Sequence, residues 1–469
     1  MPATITKGEA LYNDGRVEEA RDSFLEVLKT DTKNKEAWNN LGVIAYGEFA
    51  YGKAARCLSQ ALEVDPFYKE AIINLCDVLR DTRQLKSAIN LLEVAIVQNP
   101  EDIELQGLVK EARQIVVPQE TKKTEKTTEV DLKKLHVLQG THEIANQSYT
   151  ISSALKAQGM YAKTLCYYPN YFKYKSDYVI DLSLCANRED AILRTRKYAE
   201  QMIPQFDIFH FHFGKTLTFD YSDLPWLKEK NKKVVSQYWG SECRMLSIAK
   251  KLNPYIKVKD KTEDVIKTEL EEMSKYVRHC IVGDYELYEY VKDYFEHIHV
   301  IPSLIDTEKY RPDPDRLPND KFVIVHAPTD TDLKGSLVIQ RVLQELLVDH
   351  EFECRFVQGM SHKEAMKNYQ QADLIIDELH CGSYGLLSVE TMAMAKPVVT
   401  WISDFMKEKY PSDLPIISAN PDTLKDVIKD TLENREMLAE KGQQGRAYVE
   451  KYHDMNKVVL QIQDVYREL

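Results

Sequence analysis

The sequence predicts an all-α superhelix of repeats followed by two doubly wound parallel α/β domains. Three observations carry this prediction. The N-terminal part is self-similar at a 34-residue offset, a polar stretch follows it, and two later series alternate short apolar runs with amphipathic stretches. At 469 residues the chain exceeds what one hydrophobic core spans, so two to four domains are expected.

The repeats come first. Trp38, Leu41, Gly42, Ala54, Ala61 and Pro66 belong to a pattern whose positions recur 34 residues on at Ile72, Leu75, Ala88, Leu92, Ala95 and Pro100, and 34 residues earlier at Gly8, Ala20 and Phe24. Small residues at Gly42, Ala54 and Ala88 allow paired helices to approach closely, and each unit ends near a proline that cannot continue a helix. The pattern W-x2-L-G…A…A…P resembles the tetratricopeptide repeat (TPR) family. A helix over Ile103–Ile115 is expected to cap the array, giving a repeat domain over residues 1–116. The resemblance implies a concave groove for a peptide or protein partner, with a spacer or dimerisation arm as the other reading. Residues Val117–Lys134 are Thr, Lys and Glu with almost no large apolar side chain, and read as a linker. On that reading the repeats select an acceptor and are dispensable for chemistry.

From Leu135 the periodicity changes. HVLQ, YAKTLCYY, DIFHFHF and KVVSQYW form one series of strand-like runs; FVIVHA, FECRFV, DLIID, PVVTW and LPIIS form a second. Helical stretches of ten or more residues separate them, which means parallel sheets covered on both faces. The expected domains are 135–301 and 302–453, divided where PDPDRLPND breaks the pattern. A last helix over 454–469 is expected to cross back to the first of them. No G-x-G-x-x-G follows a strand and no G-x-x-x-x-G-K-[ST] occurs, which disfavours a dinucleotide-dependent dehydrogenase and a P-loop enzyme.

Composition narrows the class further. The net charge of −12 argues against a nucleic-acid binder. Eight scattered cysteines without a CxxC pair read as free thiols in a reducing compartment. No apolar leader opens the chain and no window approaches a membrane span, so a cytoplasmic protein is expected.

The segment DLIIDELHCGSYGLLSVETMAMAKPVVTW carries the chemistry. A strand (Leu374 to Ile376) leads into Gly382-Ser383-Tyr384-Gly385, and a helix starts near Leu386. Backbone N–H groups at a glycine-opened helix start make a diphosphate site. Glu390, one turn in on the same face, can accept hydrogen bonds from ribose hydroxyls. The order of parts resembles the family 4 glycosyltransferases, in which an E-x7-E motif precedes an EAMA-x-GKPV run. Glu390 matches the second glutamate and ETMAMAKPVV the run, while Gly382 stands at the first glutamate. Asp377-Glu378-Leu379 and the Gly-Ser-Tyr-Gly loop are similar to an Asp-Gln-Leu and Gly-x-Tyr-Gly sub-type. Lys334-Gly335 in VIVHAPTDTDLKGSLVI resembles the phosphate-contacting R…KG segment, with Thr331 or a neighbour in the arginine's place. The resemblance implies that Lys334 neutralises charge on the leaving diphosphate.

The preceding half matches more loosely. GTHEIANQ, containing Thr141, resembles the family's loop that closes over the donor, and QYWGSECR, containing Gly240, resembles its HGSDxR. DIFHFHFGK places His210 and His212 on one face at a strand end, where His212 would orient sugar or acceptor or serve the core alone. The resemblance implies a retaining GT-B enzyme of two Rossmann-like domains. Its nucleotide-sugar site would comprise Thr141, Gly240, Lys334, Gly382, Ser383, Tyr384, Gly385, Leu386 and Glu390, with Lys334 and His212 as catalytic candidates and no metal. The donor would be a UDP-sugar such as UDP-GlcNAc. The combined architecture is similar to that of O-GlcNAc transferases, which implies a protein acceptor such as bacterial flagellin. A repeat scaffold with an inactive transferase half, and a cell-surface polysaccharide transferase, stay open as alternatives.

Overall fold

The computed structural model describes residues 4–82, 88–89, 91–92, 95–96, 102, 105–109, 131–168, 174–259 and 262–469. Helices α1 (Ile5–Asn13), α2 (Val17–Thr30), α3 (Lys35–Gly47), α4 (Tyr51–Val64) and α5 (Lys69–Asp81) pack in consecutive pairs. The small residues at the repeat spacing are what permits this. Ala20 and Ala54 are fully buried, and a Cβ on Gly42 would fall 2.6 Å from Leu58 Cγ. Asn34 opens α3 by accepting from the Ala37 amide at 2.9 Å. Leu105 and Val109 join the buried cluster of Ile72, Leu92 and Ala95. Pro100 and most of the expected Ile103–Ile115 cap lie outside the described residues, as do residues 117–130 of the expected linker. Leu132–Lys134, also assigned to that linker by sequence, form a 3-10 turn instead. Leu132 is buried with Ile151 and Val458, an apolar anchor that a polar composition concealed.

The first sheet is parallel throughout, in the order β3-β2-β1-β4-β5-β6-β7. Its strands are β1 (His136–Thr141), β2 (Tyr161–Cys166), β3 (Tyr178–Val179), β4 (Ile208–His212), β5 (Lys233–Tyr238), β6 (His279–Val282) and β7 (His297–Val300). The second contains β8 (Val323–His326), β9 (Glu353–Phe356), β10 (Leu374–Ile376), β11 (Val398–Thr400) and β12 (Ile417–Ser418), in the order β12-β11-β10-β8-β9. Strand order reverses between β1 and β4 in one sheet and between β8 and β10 in the other. In such folds the crevice beyond the strand ends at a reversal is where ligands bind. The helix Met455–Glu468 returns to the first sheet, burying Val458, Val459, Ile462 and Tyr466 with Val137, Ile151 and Ile208. Among the described residues no helix is long and apolar enough to cross a membrane.

The repeats are not a free appendage. Phe49, from the α3–α4 turn, belongs to the same buried cluster as Tyr178, Phe209 and Phe211 of the first sheet, and its ring meets Tyr178 edge-on at 4.7 Å. Asp81, at the end of α5 and 3% exposed, accepts hydrogen bonds from the hydroxyls of Tyr46 at 2.6 Å, Tyr161 and Tyr178. The array is therefore docked onto the β2–β3 side of the first sheet through buried side chains. The expectation of a module joined only by a polar tether is corrected by these side chains.

Candidate active site

Lys334 ends the loop after β8, next to Gly335, whose φ of 75° caps the helix Ser336–Leu346. Its ammonium lies 2.5 Å from Asp377 Oδ1 and 3.2 Å from Glu378 Oε2, both in the loop after β10. Burial opposes the Lys334 charge, but the two carboxylates outweigh it and raise the ammonium above its ordinary value. Burial likewise opposes ionisation of Asp377, and Lys334 reverses that effect. Glu378 goes the other way, held above the usual carboxylate range by burial despite Lys334. Asp377 also accepts from the Ser388 amide (3.2 Å) and hydroxyl (2.7 Å), so it caps the helix Leu386–Ala393. Gly385 brings that helix start against the cluster: a Cβ there would lie 3.6 Å from Lys334 Nζ.

Three adjoining cavities surround this point, and Leu386 and Ala145 line all of them. The largest, about 500 Å³, is bounded by Lys334, Glu390, His362, Tyr369 and Met360, with Tyr174 and Glu143 from the first domain. A second of about 260 Å³ lies beside Glu378, Arg244, Asp284, Trp239, Tyr384 and His453. The third, about 100 Å³, opens on Glu390 and Gln147. The cleft is thus built by both domains.

Glu390 sits on the helix face predicted for it, with Oε1 3.5 Å from His362 Nε2. Burial first, and the Glu390 charge second, raise the phenols of Tyr174, Tyr310 and Tyr369. On the opposite wall Ala145 (φ 49°) and Asn146 (φ 64°) adopt left-handed backbone. A non-glycine residue there stores roughly 1–3 kcal/mol, and such strain concentrates at functional loops. Glu143 in this loop accepts from the amides of Ser148 (3.2 Å) and Tyr149 (3.1 Å), and burial raises its carboxyl to about 7.

The tetratricopeptide repeat family model matches residues 45–112. Protein O-mannosyl-transferase Tmtc3 of Drosophila melanogaster is 27% identical over 90 residues, which is 19% of this chain and 10% of that relative. The chain thus spans about a tenth of that relative's length. A sucrose-phosphate synthase from Thermosynechococcus elongatus superposes with a TM-score of 0.52 at 15% identity, covering 71% of this chain and 98% of its own. A glycosyltransferase from Rickettsia africae gives 0.50 at 15% identity, with the same coverage of 71% and 98%. The chain joins tetratricopeptide repeats to a GT-B fold.

Within the GT-B half, the remaining sequence candidates fall into two groups. Ser383, Tyr384, Gly385 and Leu386 line the 260 Å³ cavity. The Tyr384 hydroxyl is engaged by Tyr448 (3.1 Å) and His453 Nε2 (3.0 Å), and its ring stacks on Tyr410. Gly382 contributes backbone alone. Its φ is +81°, and a Cβ would fall 2.5 Å from Asn253 Nδ2, which donates to the His380 carbonyl. A glutamate does not fit there unless Asn253 is displaced. Gly382→Ala is accordingly expected to destabilise the fold by about 1–3 kcal/mol, combining left-handed strain with the displacement of Asn253; urea denaturation of the variant measures it.

Thr141, Gly240 and His212 do not present side chains to the cleft. The Thr141 hydroxyl is buried and donates to the Thr216 carbonyl at 3.0 Å, and it is Glu143, Ile144 and Ala145 that reach the cavity. Gly240, at φ 149°, makes room for Arg244, whose guanidinium would lie 3.0 Å from a Cβ. His212 is fully buried and both ring nitrogens are engaged: Nδ1 accepts from Trp239 Nε1 at 3.2 Å, which leaves Nε2 to donate to Gln139 Oε1 at 2.7 Å. Burial drives its pKa far down, so it is neutral and holds Trp239 in place, which corrects the catalytic assignment.

Asp377, Glu378, Arg244 and Asp284 received no role from sequence. Arg244 is paired with Glu286 at 2.9 and 2.8 Å, and Asp284, raised to about 6 by burial and Glu286, accepts from the Leu287 amide. The signal for the first pair was present: two acids directly after the DLII run stand at the carboxyl end of a parallel strand.

Proposed function

We propose that this protein is a glycosyltransferase that takes a sugar from a nucleoside diphosphate and passes it to an acceptor in the cleft between the two α/β domains. The observation that carries the proposal is the buried Lys334 ammonium, held by Asp377 and Glu378 beside the start of the Leu386–Ala393 helix. A preorganised cation and helix amides at one point are what a departing diphosphate requires. The base and ribose would occupy the 500 Å³ cavity, with Glu390 accepting ribose hydroxyls, and the sugar would extend towards Glu378 and Arg244. Retention of configuration, a UDP-sugar donor such as UDP-GlcNAc, and independence from metal ions follow from the resemblance to family 4. A protein hydroxyl as acceptor, with flagellin as a candidate, follows from the repeats and their architecture. Eight free cysteines fit a reducing, cytoplasmic setting.

Calorimetry with UDP and GDP tests the donor site. Wild type is expected to bind one of them, and Glu390→Ala to lose about 1.5–3 kcal/mol for each ribose hydrogen bond to a charged group. A second reading, a repeat scaffold with an inactive transferase half, is favoured by Gly382 at the first glutamate position and by the ion pair that already neutralises Lys334. Absence of binding to either nucleotide would support that reading.

A further inference from the structure

Away from the cleft, the outer edge of the first sheet gathers imidazoles. His279 opens β6 and His297 opens β7, and the two are register partners. His299, two residues further, shares a strand face with His297. Its Nε2 lies 3.1 Å from His279 Nδ1, with the ring centroids 5.4 Å apart and the ring planes 7° from parallel. Glu468, in the last turn of the C-terminal helix, brings Oε2 to 3.8 Å from His299 Nε2. The ligand-capable atoms of His279, His299 and Glu468 all lie within 4.8 Å of one another. Three segments far apart in sequence thus converge with the same chemistry.

We propose that His279, His299 and Glu468 bind one zinc-type divalent cation that pins the C-terminal helix to the β6–β7 edge. Two imidazole nitrogens and one carboxylate oxygen are a ligand set zinc takes, with water in the fourth position. Metal–nitrogen bonds of about 2.0–2.1 Å separate two ligands by roughly 2.9 Å at a right angle and 3.3 Å at the tetrahedral angle. The observed 3.1 Å falls between them. Glu468 needs to move inward by about 0.5 Å towards His299 and by up to about 1.5 Å towards His279, and its side chain is 57% exposed, with room to swing. A histidine–histidine hydrogen bond alone accounts for the 3.1 Å contact but gives Glu468 no partner at hydrogen-bond distance. The pinned helix also carries Tyr466, whose hydroxyl accepts from Gln139 and meets His210 Nδ1, each at 2.8 Å. Gln139 in turn holds His212 behind Trp239, so the ion would steady one wall of the cleft from a distance.

The test uses the full chain stripped of metal and titrated with Co2+, whose tetrahedral complexes absorb strongly in the visible, followed by displacement with Zn2+. One equivalent of saturable binding is expected, together with a rise in the thermal midpoint on adding Zn2+. His299→Ala and Glu468→Gln should each weaken Co2+ binding at least tenfold, while His297→Ala and Glu390→Ala leave it unchanged. Glu468→Gln alters an exposed side chain at a helix end, so its loss of binding cannot be ascribed to unfolding. Binding that survives His299→Ala and Glu468→Gln, or that is abolished by His297→Ala, would overturn the proposal by reducing it to adventitious capture on surface histidines.

Discussion

Asp81→Ala is expected to destabilise the whole protein by about 3–5 kcal/mol, the loss typical when one partner of a buried charged network is removed. The carboxylate accepts from three tyrosine hydroxyls, Tyr46 on the repeat side and Tyr161 and Tyr178 on the sheet side. Removing it leaves those hydroxyls buried without an acceptor, at about 1–3 kcal/mol each where no water replaces it. Lys163, also buried, stays charged because Asp81, Asp77 and Asp177 outweigh the effect of its burial, so it too would lose a counter-charge. Chemical denaturation followed by both fluorescence and circular dichroism checks the claim. A single transition shifted to lower denaturant is the expected result, and Tyr178→Phe should shift it less. Two separate transitions, with the α/β part at its wild-type midpoint, would show that the array is an independent module. Deleting residues 1–116 should for the same reason expose Tyr161, Tyr178 and Tyr198 and give a poorly soluble product.

Lys334→Ala is expected to lower turnover by two to three orders of magnitude, the usual effect of deleting one preorganised electrostatic group at a leaving oxyanion. It should also lower stability by about 3–5 kcal/mol, because Asp377 is left buried without the cation that offsets the effect of its burial. The two effects separate in the double variant Lys334→Ala, Asp377→Asn. Restoring charge balance is expected to recover most of the stability and none of the turnover. Single-turnover kinetics beside a denaturation curve provides both readouts. Recovery of activity along with stability would mean that Lys334 supports the fold and does not touch the donor.

Local pattern made much of this structure legible. Ala20, Ala54 and Ala88 announced the repeat because close helix packing admits few residue types, and apolar runs marked β1, β2, β4, β5 and β8 to β12, whereas the short strands β3, β6 and β7 were not read from the sequence. Glu390 and the Gly385–Leu386 helix start line the cavities together because both lie on one short helix whose geometry the spacing dictates. What escaped depends on contacts between distant segments. Lys334 and Asp377 are 43 residues apart, and Asp81 and Tyr161 are 80 apart. No local periodicity reports such pairs. His212 shows the converse error: a histidine at the end of a strand looks available until Trp239 and Gln139 are seen on its two nitrogens.

The central claim is that the Lys334 cleft departs a nucleoside diphosphate from a sugar. Its most direct test is nucleotide release from a panel of UDP-, GDP- and ADP-sugars incubated with the purified full-length protein, without added divalent ion. Release is expected from one donor class, favouring UDP-sugars, at the same rate with manganese present and with a residual of about 1% or less in Lys334→Ala. No release from any donor, or release that appears only with manganese and persists in Lys334→Ala, would contradict it.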